Sequence, residues 1–380
     1  MDNIMLVISP YIQYVRHPGM PILIDSWLVD ERVTLDTHTC FVLWQCREPQ
    51  YVNELRKQYG EEIINFLCVK KLLLPVDKVW EQNNIRLVEL ECTTFCNYKC
   101  EYCTIPVIPR DHCVMDMILF ERIIEKVLRH PSIQWISLNN YGEPSIDPLL
   151  MERLDVIAQT DLQMVFNTNG SRLEPFLDRL RCMKKNIYHL NFNIPSIDRD
   201  EYHQITGGDL MMVLKNVKKA NDLGITTKII VNGTPDEVER KYIKFLHMFQ
   251  AYENVEVYKW KTNDRSGILS NKYWQNIKNS YPLTGCRNLV NYLFIDGKGD
   301  LFLCCNDYNK KFVYNNIKNG EIRDLLRSPK LIEWKKIIFG NKNGSKEFIC
   351  MHCAEMRESL CASYKLNETA KQCHSFPDNG

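Results

Sequence analysis

The sequence predicts an α/β fold with a parallel sheet, flanked by a small α+β domain and a cysteine-rich C-terminal domain. From Ile85 onward, short apolar runs typical of strands alternate with longer segments whose apolar residues repeat at helical spacing. This order is typical of an α/β barrel or a doubly wound sheet. The alternation ends near Asp264, where clustered cysteines begin. We therefore expect three domains, over residues 1–83, 84–265 and 266–380.

The central domain contains the clearest secondary-structure patterns. Its predicted strands are 85–90, 135–139, 164–167, 190–194 and 227–231. Its predicted helices include 120–129, 149–159 and 210–223. Ligand sites on parallel sheets lie beyond the carboxyl ends of the strands, so we expect the functional residues at those ends.

The first 83 residues carry no cysteine cluster and predict a small domain of strands followed by helices. Strand-like patterns cover 20–28, 32–35 and 39–43, and helical patterns cover 52–59 and 61–69.

Composition excludes several classes of function. The 380 residues are 45% hydrophobic and 25% charged, and the net charge of +1 provides no field that would attract nucleic acid or acidic lipid. No segment approaches the roughly 20 apolar residues of a membrane helix, and no basic region precedes the first apolar run. We expect a cytoplasmic protein. In a long chain of this kind, 16 cysteines indicate metal ligation rather than disulfides.

Three cysteines follow the first strand of the central domain at the spacing CxxxCxxC: Cys96, Cys100 and Cys103. Three thiolates in one loop can hold an iron–sulfur cubane, which normally has four cysteine ligands, and then leave one iron open to another ligand. The alternative is a zinc knuckle in which Cys92 supplies the fourth thiolate.

This motif, with the aromatic residue Tyr102 just before the last cysteine, resembles that of the radical S-adenosylmethionine (SAM) superfamily. The resemblance implies a partial (β/α)6 barrel and a [4Fe–4S] cluster whose open iron binds SAM. It also implies reductive cleavage of SAM to a 5′-deoxyadenosyl radical, which abstracts hydrogen from a substrate. A flavodoxin- or ferredoxin-type protein is the implied electron donor.

Two strand-end turns follow in the order of that family. Gly142, Glu143 and Pro144 resemble the turn whose carbonyls and glutamate receive the SAM ammonium group. Asn167 and Asn169 lie in a segment that resembles the family's Thr-Asn-Gly turn.

Two further SAM contacts are implied by the resemblance. Asn193 corresponds to the residue that contacts the ribose, although the family usually has serine there. Arg265 resembles an arginine that pairs with the carboxylate of SAM or of the substrate.

The C-terminal region predicts a second metal centre. A strand pair, 292–295 and 300–303, surrounds an Asp-Gly turn, and a CxxC knuckle follows downstream. The arrangement resembles the SPASM and Twitch extensions of radical SAM enzymes. We favour the Twitch form, with one auxiliary [4Fe–4S] cluster on four cysteines: Cys286, Cys304, Cys350 and Cys353.

Three alternatives remain open for this centre. Cys305 could replace Cys304, and Cys361 with Cys373 could serve a second auxiliary cluster. The same four thiolates would also suit a structural zinc ion.

The N-terminal pattern resembles the small winged-helix-like, leader-binding domain of radical SAM peptide maturases. We therefore expect a ribosomally synthesised peptide substrate with a leader, modified by a crosslink, a thioether or epimerisation, for which Cys113 is a candidate hydrogen donor. One alternative is a dehydrogenase of a small sugar or aminocyclitol alcohol. Another is a non-catalytic, zinc-stabilised peptide-binding protein. The sequence identifies no catalytic acid or base.

Overall fold

The computed structural model describes residues 4–15, 22–269, 283 and 285–353. The strands in chain order are β1 (Met5–Ile8), β2 (Ile12–Val15), β3 (Ile22–Ser26), β4 (Glu31–Leu35), β5 (Gln50–Tyr51), β6 (Leu73–Pro75), β7 (Leu87–Leu90), β8 (Trp135–Ser137), β9 (Gln163–Thr168), β10 (Ile187–Asn193), β11 (Thr227–Gly233), β12 (Val255–Lys261), β13 (Tyr292–Ile295), β14 (Asp300–Phe302) and β15 (Val313–Asn316).

The α-helices described in the chain are α1 (Thr37–Gln45), α2 (Val52–Tyr59), α3 (Glu61–Val69), α4 (Met117–Leu128), α5 (Leu150–Ala158), α6 (Leu177–Cys182), α7 (Arg199–Thr206), α8 (Leu210–Asp222), α9 (Pro235–Phe249), α10 (Asn288–Asn291), α11 (Ile322–Leu325) and α12 (Pro329–Ile338). Short 3₁₀ turns cover Val76–Glu81, Pro144–Ile146, Glu174–Phe176, Lys184–Asn186, Ile317–Asn319 and Ile349–His352. None of the helices in the described residues is long and apolar enough to span a membrane.

The chain divides into two compact units. Unit 1 comprises residues 1–84, 276–291 and 326–380, and unit 2 comprises residues 85–275 and 292–325. The region predicted as a C-terminal domain, 266–380, is therefore shared between the two units.

Unit 2 contains a sheet of nine strands in the order β12-β11-β10-β9-β8-β7-β13-β14-β15. Strands β7 to β12 pair in parallel, and helices α4 to α9 occupy the connections between them. This arrangement confirms the predicted α/β class and the partial (β/α)6 barrel.

Side chains alternate between the two faces of this sheet, as the strand repeat requires. Phe166 in β9 and Phe192 in β10 are fully buried. Asn167 directly follows Phe166 and Asn191 directly precedes Phe192, so both amides lie on the opposite face, where Asn191 donates from Nδ2 to Oδ1 of Asn167 (2.8 Å). Asn193 continues this polar face to the carboxyl end of β10.

The predicted hairpin forms, and it extends the barrel sheet. β13 and β14 pair antiparallel, with Phe294 opposite Phe302, which confirms the strand pair around the Asp-Gly turn. β13 also pairs in parallel with β7. Because β7 pairs with β8 along only one edge, its other edge is available to the hairpin.

Unit 1 contains two three-stranded sheets, β5-β1-β6 and β2-β3-β4, with helices α1 to α3. The predicted strand at 39–43 is wrong, because this segment lies within α1. Asp36 caps the helix by accepting a hydrogen bond from the Thr39 amide (2.7 Å), and Val42 and Leu43 are buried in the core of the unit.

Residues from both ends of the chain share the core of unit 1. The Phe339 ring packs edge-on against the Tyr11 ring, with centroids 4.9 Å apart. The Asn291 side chain donates to the Trp27 and Asn84 carbonyl oxygens, both at 2.9 Å. The N-terminal 84 residues therefore depend on later segments for part of their packing.

Lys335 in α12 is fully buried in unit 1. Its Nζ donates to the Gln82 carbonyl oxygen (2.7 Å) and to Oδ1 of Asn83 (2.6 Å). Burial lowers the pKa of this amine from 10.5 to about 7. Between pH 7 and 10.5 the unfolded chain binds more protons at Lys335 than the folded chain, so this group adds stability as the pH rises.

Replacing Lys335 with Met should therefore destabilise the protein more at high pH. At pH 9 the loss of the hydrogen bonds to the Gln82 and Asn83 oxygens should lower the free energy of unfolding by about 2 kcal/mol. At pH 6.5 the loss should be smaller, because the native fold then bears the cost of a buried charge. Anaerobic urea unfolding at both pH values measures this, with the exposed Lys330→Met in α12 as control. A pH-independent loss would contradict the prediction.

Candidate functional site

The three-cysteine motif lies in a long loop, residues 91–116, that leaves the carboxyl end of β7. Main-chain hydrogen bonds close the base of this loop: the Met115 amide donates to the Cys92 carbonyl (2.8 Å), and the Thr94 amide donates to the Cys113 carbonyl (3.0 Å). Cys96, Cys100 and Cys103 are thereby held beyond the strand ends, where ligand sites of parallel sheets lie. We call this segment the cysteine loop.

The end of α7 supports the middle of the cysteine loop. The Lys99 amide donates to the Thr206 carbonyl (3.1 Å). The Tyr98 ring packs over Gly208, where a Cβ would lie 2.1 Å from a ring carbon. Glycine at position 208 is therefore needed for the ring to approach the backbone.

The turn after β9 supports the same loop from another side. Asn169 donates from Nδ2 to Oδ1 of Asn97 (3.0 Å), and Asn97 donates from Nδ2 to Oγ of Ser171 (2.9 Å). Asn169, predicted to lie in a SAM-binding turn, thus contacts the loop itself.

Gly142 makes the closest backbone approach to the cysteine loop. Its φ is +102°, and a Cβ there would lie 2.2 Å from the Thr93 carbonyl oxygen and 3.0 Å from that of Phe95. The neighbouring Glu143 amide donates to the Phe95 carbonyl (2.8 Å). The predicted SAM-binding turn and the loop therefore form one packed backbone arrangement.

The Glu143 carboxylate joins two strand-end turns. One oxygen accepts from the Ser145 amide (3.0 Å), from its hydroxyl (2.6 Å) and from the Thr168 hydroxyl (2.6 Å). The other accepts from the Asn169 amide (2.7 Å). Burial raises the pKa of Glu143, while these hydrogen bonds oppose the rise. Pro144 starts the 3₁₀ turn that follows. Reception of a SAM ammonium group by this carboxylate stays a prediction.

The donor set of the cysteine loop fits an iron–sulfur cluster. Burial raises the pKa of Cys96 and of Cys100 to about 12, and both thiols interact electrostatically with Cys103. Thiolates at such positions require a nearby cation, which cluster iron provides. Among the described residues, no three His, Cys, Asp or Glu side chains are grouped closely enough to hold a single metal ion.

A cleft of about 380 Å³ lies beside the cysteine loop. Its walls include Tyr102 of the loop, Pro195 after β10, Asn232 and Gly233 of β11, and Thr262 after β12. This volume lies in the range of small-ligand sites. The cleft is the candidate site for SAM.

Asn232 in this cleft was not identified from the sequence. Its Nδ2 donates to Oδ1 of Asn193 (3.3 Å), which places the predicted ribose contact next to the cleft wall. The sequence does contain a signal for Asn232, because this residue precedes a glycine at the end of a strand, as Asn169 does.

A second group of residues lies at the exit of β7. After β14, residues 304–312 return to the barrel: the Tyr141 hydroxyl donates to the Cys305 carbonyl (2.5 Å), and Arg110 donates from Nη1 to the Tyr308 carbonyl (3.1 Å). The Arg265 guanidinium lies 5.7 Å from the centre of the Tyr141 ring. We call residues 304–312 the return loop.

Cys113 was predicted as a candidate hydrogen donor. Cys113 lies at the closed base of the cysteine loop, where its sulfur is 2.8 Å from the Cβ position of Gly297. Its role as a hydrogen donor stays a prediction.

The cysteines predicted for the auxiliary cluster come from both units. Cys304 belongs to unit 2, whereas Cys286, Cys350 and Cys353 belong to unit 1. Their joint binding of one cluster, and the choice between Cys304 and Cys305, stay predictions. Cys361 and Cys373 lie outside the described residues.

Family comparisons agree with this arrangement. Residues 90–249 match the radical SAM superfamily, and residues 286–354 match the SPASM iron–sulfur cluster-binding domain. The chain is a radical SAM enzyme. Its cofactors are SAM, the [4Fe–4S] cluster that binds SAM and an auxiliary [4Fe–4S] cluster. A non-catalytic zinc protein is therefore excluded.

Solved structures of other radical SAM proteins share the fold. SuiB of Streptococcus suis bound to its precursor peptide SuiA superposes with a TM-score of 0.58 at 14% identity, covering 93% of this chain and 94% of SuiB. The protein anSMEcpe with bound SAM superposes with a TM-score of 0.52 at 13% identity, covering 77% of this chain and 96% of anSMEcpe.

Among curated proteins, the enzyme is similar to GTP 3′,8-cyclases. The cyclase of Marinobacter nauticus is 26% identical over 178 residues, 44% of this chain and 52% of the cyclase. A probable cyclase of Methanococcus maripaludis is 28% identical over 145 residues, 37% of this chain and 47% of the relative. The chain thus spans about half the length of these relatives.

Replacing Gly142 with Ala should prevent the SAM turn from packing against the cysteine loop. The added methyl group would contact the Thr93 carbonyl oxygen, so we expect most of the SAM-binding cluster to be lost. The measurement is iron and sulfide content after anaerobic reconstitution. Gly60→Ala is the control, since Gly60 has a similar φ of +91° but open space around its Cβ position. Because φ +91° with ψ 148° is adopted almost only by glycine, this control should cost about 1–3 kcal/mol of stability, yet it should keep its iron. Equal iron content in both variants would contradict the prediction.

Proposed function

We propose that this radical SAM enzyme modifies a ribosomally synthesised peptide by hydrogen abstraction, forming a crosslink or thioether or epimerising a residue. The likeness to SuiB carries the proposal, because it covers 93% of this chain and therefore includes the N-terminal module as well as the barrel. SuiB is bound to a precursor peptide in that structure, and we propose a substrate of the same class here.

Cys96, Cys100 and Cys103 are the proposed ligands of the SAM-binding cluster. When bound, the cluster supplies the electron that cleaves SAM, and we propose that it comes from an external flavodoxin- or ferredoxin-type donor. The protein holds the thiols in place through Gly142, Asn97 and α7. We propose that the cleft beside Tyr102 holds the nucleoside, where Asn232 and Asn193 present amide groups at the strand ends.

Replacing Cys96, Cys100 and Cys103 together with Ala should reduce 5′-deoxyadenosine formation to background. The iron of the auxiliary cluster should remain, because its proposed ligands lie elsewhere in the chain. Liquid chromatography of the nucleoside and iron analysis measure the two effects. The control is the Cys92→Ala, Cys113→Ala double variant, which leaves the three proposed ligands intact. Retained SAM cleavage in the triple variant would refute the assignment.

The N-terminal module offers a strand edge to an extended peptide. β4 lies at the edge of its three-stranded sheet, and α1 follows it directly. On α1, Phe41 is 52% exposed and Trp44 is 38% exposed, one helical turn apart. We propose that the leader adds to β4 and packs apolar side chains against this aromatic surface.

Phe41→Glu should weaken leader binding about tenfold, since it removes one aromatic contact and adds a charge. Fluorescence anisotropy with a labelled leader peptide, taken from a short reading frame beside the gene, measures the dissociation constant. Phe66→Glu is the control, because Phe66 is an exposed aromatic residue (38%) on α3. Deleting residues 1–83 would be less informative, since unit 1 shares its core with later segments. Equal affinity of both variants would discard this docking site.

A further inference from the structure

Glu91, directly after β7, has a carboxylate that is only half satisfied. Its side chain is 2% exposed. Oε2 accepts a hydrogen bond from Nη2 of Arg110 (2.6 Å) and lies 3.6 Å from Nζ of Lys310 in the return loop. Oε1 is buried and has no hydrogen-bond partner among the described residues.

The Lys310 amine beside it has an ion pair with Glu91 but no hydrogen bond. Nζ is buried and has no hydrogen-bond acceptor in the described part of the chain. It lies 3.3 Å from the centre of the Phe302 ring. Buried polar atoms rarely lack a hydrogen bond, because the bonds to water lost on burial are then not replaced. An acceptor and an amine that both lack a hydrogen bond, side by side, therefore indicate a place for a group that both donates and accepts hydrogen bonds.

The position of this pair relates it to the radical chemistry. The Lys310 Nζ is 5.8 Å from the centre of the Tyr141 ring, and Tyr141 directly precedes Gly142 of the SAM turn. Tyr141 and Tyr308 both interact electrostatically with Cys103. The two tyrosines therefore connect the Lys310 amine with the cysteine loop.

The surroundings of Lys310 make its amine less basic than that of an exposed lysine. Burial lowers its pKa, and Arg110 lowers it further, whereas nearby carboxylates oppose the shift. The charged groups that face it come from β7 and its exit, from the cysteine loop, from the β13–β14 turn and from the return loop: Glu89, Glu91, Arg110, Asp296 and Asp307.

We propose that Lys310, positioned by Glu91, is the proton acceptor of the reaction that forms the new bond in the peptide. This inference rests on the proposed function. The 5′-deoxyadenosyl radical takes a hydrogen atom from a substrate C–H group, giving 5′-deoxyadenosine and a carbon radical. That carbon forms a bond to a second side chain, which releases one proton to the Lys310 amine. The remaining electron passes to an oxidised iron–sulfur cluster, so that atoms and charge balance.

The first test measures the Lys310 amine without any substrate. The reconstituted enzyme is carbamylated with cyanate from pH 6 to pH 10, and each lysine is quantified by peptide mass spectrometry. Lys310 should react with a midpoint at lower pH than the exposed Lys311, its neighbour in the return loop. Glu91→Gln should move that midpoint lower still, since a carboxylate that stabilises the ammonium is gone. A midpoint equal to that of Lys311, or no reaction at any pH, would overturn the proposal.

The second test measures how SAM cleavage is coupled to peptide modification. In Lys310→Met the ratio of bonded peptide to 5′-deoxyadenosine should fall at least tenfold, and in Lys311→Met it should stay at the native value. An unchanged ratio in Lys310→Met would overturn the role of Lys310. So would a native reaction that only epimerises the peptide and forms no new bond. If the native enzyme modifies no peptide, the proposed function fails, while the carbamylation result still decides the state of the amine.

Discussion

The backbone contact between Gly142 and the cysteine loop is the constraint on which the site depends. The loop has no helix or strand of its own between β7 and α4, yet it must hold three thiols around one cluster. Its shape comes instead from two strand-end turns, at Gly142 and at Asn169, and from the end of helix α7. A side chain at Gly142 would separate the SAM turn from the loop, because the Thr93 oxygen already occupies the position of its Cβ.

The thiols themselves add a second constraint. Burial holds the pKa of Cys96 and Cys100 near 12, so without cluster iron both stay protonated at neutral pH. Ligation must then release those protons, and cluster affinity becomes dependent on pH. The packed turns around the loop offset part of that cost, since they fix the thiols before iron arrives and leave little chain entropy to lose.

Local sequence patterns predicted much of this structure, but they did not predict the pairing of segments that are far apart in the chain. The cysteine spacing, the alternation of strands and helices, and the Asp-Gly hairpin each depend on residues close together in the chain. The hairpin's place beside β7 depends on an edge that only the folded sheet creates. At α1, the run from Thr39 to Leu43 has the β-branched and apolar character of a strand, but the Asp36 cap and core packing select a helix.

The same limit explains why the site chemistry at Glu91 and Lys310 was not predicted. The two residues lie more than 200 positions apart, and neither belongs to a recognisable motif. Their meeting depends on the return loop, which the Asp307 carboxylate shapes by accepting hydrogen bonds from the Lys311 and Phe312 amides (3.0 and 2.8 Å). The return loop is held against the barrel by Tyr141 and Arg110, which donate to the Cys305 and Tyr308 carbonyl oxygens. The position of Lys310 therefore follows from contacts between distant segments of unit 2, which no local pattern in the sequence specifies.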